Sequence, residues 1–189
     1  MNLSDELTRL TSPFSRPEAL IEHAIEIFPD ATPAPYQQLL AHPHHMTVTM
    51  EQFHHAPMML DVLQSLQEGE FYCRKIVLSR ADDGQPVLFG MIHFHLETVP
   101  AGVRQHVIAG QIPLGRILID HHVERSITIR AILRIVAGPE LAELLQMPPG
   151  EVVYGRLAMM ECNGTPAIDL LEISAPLPLT KATSVWNGT

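Results

Sequence analysis

Cysteine is scarce, with only Cys73 and Cys162 in 189 residues. That excludes a disulfide framework as the source of stability, and the two have no metal-ligand spacing with each other. Both lie in apolar, strand-like stretches, where a reduced core thiol is the ordinary reading. Cations are also few: 12 Lys and Arg stand against 21 Asp and Glu, a formal net charge of −9. Such a surface argues against nucleic acid or an anionic membrane as the main partner. No apolar run reaches membrane-spanning length. Met1 to Leu10 carries Asp5, Glu6 and Arg9 where a secretion signal would need an apolar core, so a cytoplasmic chain is expected. Glycine-rich phosphate loops are missing. Gly84, Gly90, Gly102, Gly110, Gly115 and Gly150 are isolated, with neither a GxGxxG nor a Walker pattern. No GxSxG nucleophile elbow occurs. Nucleotide cofactors and covalent serine chemistry are therefore not indicated.

What is present suits one ordered domain with a sizeable core, since 46% of the residues are hydrophobic and 17% charged. The spacing predicts a first helix over residues 17–28, opened by Pro17, and a second short one over 35–41, stopped by Pro43. Met46 to Gln52 (MTVTMEQ) and Pro57 to Leu63 look extended. Glu70 to Ser79 and Pro86 to Leu96 form a hairpin around Ala-Asp-Asp-Gly. Pro100 to Ala109 and Pro113 to Asp120 read as short helices. His122 to Val136 is a long strand, and Pro139 to Gln146 a helix. Glu151 to Cys162 and Pro166 to Ser174 form a second hairpin at Asn163-Gly164. Hairpins with helices between them indicate an α+β fold: one antiparallel sheet with helices on one side. A helical extension over residues 1–34 and an exposed tail over 177–189 are expected. The long exposed strands fit a monomer or a homodimer.

Two polar residues fall on apolar strand faces. Side chains alternate along a strand. Tyr72, Arg74, Ile76 and Leu78 therefore share one face, and Ile168, Leu170 and Glu172 share another. Arg and Glu are seldom buried unless paired. They could lie at sheet edges, pair with each other as a buried salt bridge, or line a pocket. In a pocket, Arg74 offers a fork of donors matched to a carboxylate, and Glu172 could handle a hydroxyl or a proton. Histidine is frequent, with 11 in the chain. His93 and His95 share a face, but His44-His45 and His54-His55 are adjacent pairs that diverge on a strand. No HExxH pattern appears, so no metal site is expected and solvated or core histidine is the default.

Several segments, taken in order, match one family. They are Met46-Thr47-Val48-Thr49-Met50-Glu51, Tyr72-Cys73-Arg74-Lys75-Ile76-Val77-Leu78, and Asp83-Gly84-Gln85-Pro86. Ile112-Pro113-Leu114-Gly115-Arg116-Ile117-Leu118 and Gly164-Thr165-Pro166 through Glu172 and Pro176 complete the set. Over roughly residues 35–178 the chain resembles the chorismate pyruvate-lyases and their chorismate lyase-like relatives. The resemblance implies a six-stranded antiparallel sheet with helices on one side and flaps over a closed cavity. It implies a lyase that eliminates pyruvate from chorismate to leave 4-hydroxybenzoate, or acts on a related small cyclic or aromatic carboxylate. Neither metal nor organic cofactor is implied. By position, Arg74 would bind the ring carboxylate and Glu172 would meet the hydroxyl side, the two being the catalytic pair. The backbones of Met46 and Leu114 would contribute further substrate contacts. A buried dianion demands a fixed cation and oriented amides, which this set would supply. Pro166 to Glu172 is one residue longer than the family spacing, which suggests a bulge or register shift and makes Asp169 the rival of Glu172. Met91 replaces a basic residue found in enzymes of the ubiquinone pathway.

A second resemblance leads to a different function. Leu141-Ala142-Glu143-Leu144-Leu145, then Pro149-Gly150-Glu151-Val152-Val153 and Arg156, resemble the effector-binding domain of GntR-type regulators, which shares the fold. The first forty residues are expected to be too short and too acidic for a winged helix-turn-helix, so the alternative is a free-standing small-molecule sensor.

Overall fold

In the computed structural model, which describes residues 2–178, seven antiparallel strands form one sheet in the order β1-β5-β6-β7-β4-β3-β2. The strands are β1 (Ile21–Ile27), β2 (Met58–Glu68), β3 (Phe71–Arg80), β4 (Pro86–His95), β5 (Arg125–Ala137), β6 (Val152–Cys162) and β7 (Thr165–Ser174). The helices are α1 (Leu3–Thr11), α2 (Pro17–Leu20), α3 (Tyr36–Leu40), α4 (Met46–His54), α5 (Ala101–Ala109), α6 (Leu114–Asp120) and α7 (Pro139–Leu144). The α+β class and the antiparallel sheet are as expected. Both predicted hairpins form, and Asn163 and Gly164 adopt the left-handed φ of 52° and 75° that a tight two-residue turn requires.

Three expectations need correction. The helix expected over 17–28 ends at Leu20. Ile21–Ile27 becomes β1, which pairs along Ile132–Ala137 of β5 and makes a seventh strand instead of six. The extension over 1–34 is thus partly sheet. Met46 to Gln52 is not a strand but the body of α4, with Met46 and Met50 buried one helical turn apart. Finally, the helices cover both faces of the sheet. On one face α1, α2 and α7 pack on Val77, Phe89, Leu133, Leu157 and Leu171. On the other, α3 and α4 pack on Ile76, Leu78 and Leu88, and α5 and α6 on Ile92, Phe94 and Leu170. Of the expected tail, only Leu177 and Pro178 are described; the Leu177 N–H donates to the Tyr36 hydroxyl at 2.6 Å.

The first of these faces holds α1 by polar ties as well. Arg9 donates to Asp169 at 2.9 Å, the His93 ring meets the Leu10 carbonyl at 3.0 Å, and Arg130 bonds Glu6 at 2.9 Å. Lys75, 5% exposed, ion-pairs with Glu140 of α7 at 2.6 Å and reaches Ser15 at 3.3 Å. His93 is therefore a structural residue.

Both cysteines are unpaired and fully buried, and burial pushes each thiol up to about 11. The thiolate is the reactive form. A thiol-specific reagent at pH 8 should label neither cysteine in the native protein and both in denaturant. Rapid labelling of native protein would contradict this packing.

Candidate functional site

The four residues carried over by resemblance meet in one place. Arg74, Glu172, Met46 and Leu114 all line a cavity of about 60 Å³ between the sheet and the first turns of α4 and α6. Its floor is β3, β4, β7 and β6. Across that floor Arg74 faces Ile92, Ile92 faces Leu170, and Leu170 faces Ala158. One residue pair along, Ile76 faces Gly90, Gly90 faces Glu172, and Glu172 faces Arg156. Gly90 keeps the floor low. A Cβ there would stand 3.0 Å from Ile76 Cδ1.

The rivalry between Glu172 and Asp169 is resolved by a bulge. Glu161 pairs with Pro166 and Met160 with Ile168, so Ala167 is the extra residue of β7. Glu172 thereby faces the cavity. Asp169 faces the opposite side, where it holds Arg9 and Arg130.

Arg74 is 2% exposed, yet its Nε and Nη1 have no hydrogen-bond acceptor. Burial pushes its guanidinium down from the ordinary value, and the neighbouring Tyr72 opposes that shift. An arginine nevertheless stays charged in proteins. Arg74 therefore presents a desolvated positive charge with two open donors beside the cavity.

Glu172 does not pair with Arg74. Its carboxylate accepts from Arg156 Nε at 2.6 Å. Arg156 is 1% exposed, and its remaining donors go to the carbonyls of Leu40 (3.5 Å), His42 (2.6 Å) and His44 (3.1 Å). This arginine fastens the α3–α4 connection to the sheet and so places Met46 over the cavity. The sequence held a signal for it. Arg156 shares a strand face with Ala158 and Met160, the same anomaly that marks Arg74 and Glu172.

Met46 and Leu114 take their places as the first residues of helices. The first N–H groups of a helix have no partner within it. Met46 and Thr47 of α4, and Leu114 and Gly115 of α6, all line the cavity. The charges of Arg74, Arg156 and Glu172 sum to one net positive. A cation, helix N-termini and a shielded volume together suit an anion. At roughly 15 Å³ per water the cavity takes about four waters' worth of ligand, below the roughly 150 Å³ of a dry cavity that admits benzene. A six-membered ring acid is larger than the hollow as it stands.

The histidines do not gather into a metal site. Among the described residues, no three His, Cys, Asp or Glu side chains are placed to hold a metal ion. His45, which lines the cavity, accepts a bond from Arg125 Nε at 2.6 Å. Burial first, then the charges of Arg125 and Arg156, lowers its pKa to about 4. Burial also lowers His42, His54 and His93. An unfolded chain protonates its histidines near pH 6.5. Below that value the unfolded state binds more protons, so the stability that His45 contributes falls as pH drops from about 6.5 towards about 4 and is constant above about 6.5. Thermal midpoints from pH 8 to 4.5 should show this decline, and it should be shallower in His45→Gln.

No protein-family model matches this sequence. No curated protein matches it either. Solved structures do resemble it. PhnF from Mycobacterium smegmatis shares 12% identity over 72% of this chain and 66% of its own, with a TM-score of 0.54. The chain thus spans a little under two thirds of that protein. The effector domain of PhnF from Mycobacterium smegmatis shares 11% identity over 69% of this chain and 88% of its own, with a TM-score of 0.52. A GntR-family transcriptional regulator from Enterococcus faecalis V583 shares 14% over 65% and 99%, with a TM-score of 0.45. At 11–12% identity, the likeness to PhnF and its effector domain is one of fold. No helix among the described residues is long and apolar enough to cross a membrane.

Proposed function

We propose that this chain is a small-molecule-binding domain of the effector type, which takes a small anion with its charged head on Arg74. The observation that carries this reading is the buried guanidinium whose Nε and Nη1 have no acceptor, set beside a cavity. A structural arginine would be paired, as Arg156 is. Helix first turns from α4 and α6 add donors, and Glu172 offers an acceptor to a ligand hydroxyl. The fold shared with the effector domain of PhnF is consistent with binding as the task.

The lyase reading rests on the convergence of Arg74, Glu172, Met46 and Leu114 on one cavity. Chorismate would be bound by its ring carboxylate, and Glu172 would relocate the proton. Two features weigh against it: the hollow is smaller than the ring, and the Glu172 carboxylate is clamped by Arg156.

One experiment separates the two. The protein is incubated with acetate, inorganic phosphate, 4-hydroxybenzoate and chorismate, with thermal midpoints, ultraviolet spectra and coupled pyruvate detection followed in parallel. Stabilisation by an anion without turnover supports the effector reading. Pyruvate and 4-hydroxybenzoate formed from chorismate, and lost in Glu172→Gln, would establish the lyase instead. No response to any anion would remove both.

A further inference from the structure

A second hollow adjoins the first. It is an outer groove of about 600 Å³ between the start of α4 and β5, with Val48, Gln52, Arg125, His45 and Ile127 in its lining. His45 and Ile127 are the two residues that line both the groove and the inner cavity. They are the partition between a small space and one ten times larger.

The His45 ring is wedged from two sides. On one side it lies against Gly115 of α6. A Cβ on that glycine would stand 2.7 Å from His45 Nδ1 and 2.9 Å from its Cγ, so only glycine lets the ring come this close. On the other side Arg125 Nε donates to His45 Nε2 at 2.6 Å. Arg125 is itself braced by a bond from its Nη1 to the Val123 carbonyl at 2.9 Å. The accepting Nε2 leaves the ring proton on Nδ1. Such a ring is fixed in orientation, and a fixed partition limits the length of what lies behind it.

We infer that His45 is a specificity-determining residue, which sets the upper size of the anion that Arg74 can hold by closing the inner cavity off from the outer groove. This rests on the anion-binding reading. The ligand class it implies is a short anion of only a few heavy atoms, since the cavity has room for about four waters. Removing the ring should join the two hollows and admit a longer molecule, its head on Arg74 and its remainder in the groove.

The test uses straight-chain monocarboxylates from acetate to octanoate at matched ionic strength, with calorimetric or thermal-shift affinities. In the native protein affinity should fall at least tenfold between butyrate and hexanoate. His45→Ala should remove that fall. His45→Leu, which keeps the bulk, should retain the native limit. If His45→Ala does not fold, Ile127→Ala thins the same partition and should shift the limit in the same direction. Native binding of short acids with an unchanged limit in the folded Ala variants would overturn the role of His45 and spare the anion site. Absence of any carboxylate binding to the native protein would overturn both.

Discussion

Replacing Arg74 with methionine should make the unliganded protein more stable and at the same time abolish its response to anions. Most substitutions of a fully buried side chain destabilise. Here the removed group is a charge that is 2% exposed, with two donors lacking acceptors. Each unsatisfied buried donor costs about 1–3 kcal/mol, and apolar replacement of buried ionic groups stabilises other proteins by about 1–4 kcal/mol. Methionine covers much of the same volume without the charge. A gain of about 1–3 kcal/mol is expected, raising the midpoint by several degrees at about 2–4 °C per kcal/mol for a chain of this size. Loss of the cation should weaken anion binding by about 2–5 kcal/mol, at least roughly thirtyfold. Urea unfolding without ligand, and thermal shift with it, read the two effects separately. A loss of more than about 1 kcal/mol in the absence of ligand would mean that Arg74 is a structural tie and that the cavity has no claim on it.

Arg74 and Glu172 were legible in the sequence, because a charged residue at a strand's apolar phase is visible in one chain, whereas Met46 and Leu114 came from the family resemblance alone. Arg74 and Glu172 were found by that alternation. Which partner Glu172 would take was not legible, since strand order decides it. Glu172 lies between Gly90 and Arg156, and neither is its neighbour in sequence. The bulge at Ala167 was foreshadowed by the extra residue in the family spacing, and it puts Glu172 rather than Asp169 on the cavity face. The secondary-structure errors have a common cause. Residues 46–52 carry Thr, Val and Met in alternation and look extended, yet Met46 and Met50 bury against Tyr36, Leu39 and Leu40 as a helix. Residues 21–27 look helical, yet the free edge of β5 takes them as a strand. In both places tertiary packing overrides local preference, which is the weaker force. Met46 still lines the cavity, as the first residue of α4.

The second arginine should behave in the opposite way. Arg156→Met should destabilise the protein by about 3–5 kcal/mol, the usual cost of leaving one partner of a buried pair alone. Arg156 and Arg74 are nearly equal in burial, at 1% and 2% exposed. They differ in what they touch. Arg156 is committed to Glu172 and to the carbonyls of Leu40, His42 and His44. Its loss strands a carboxylate that is only 14% exposed, along with carbonyls of the α3–α4 connection. The variant should therefore unfold at lower urea and expose the connection to proteolysis before the sheet. Adding Glu172→Leu to Arg156→Met should recover part of the loss, because the stranded charge goes with it. Glu172→Leu alone leaves Arg156 with its three carbonyls and should cost less than Arg156→Met. Equal stability of the Arg74→Met and Arg156→Met proteins would contradict the division of labour between the two, since burial is matched and only the partners differ. If the two variants do move in opposite directions, the cation held without partners is the one kept for a ligand.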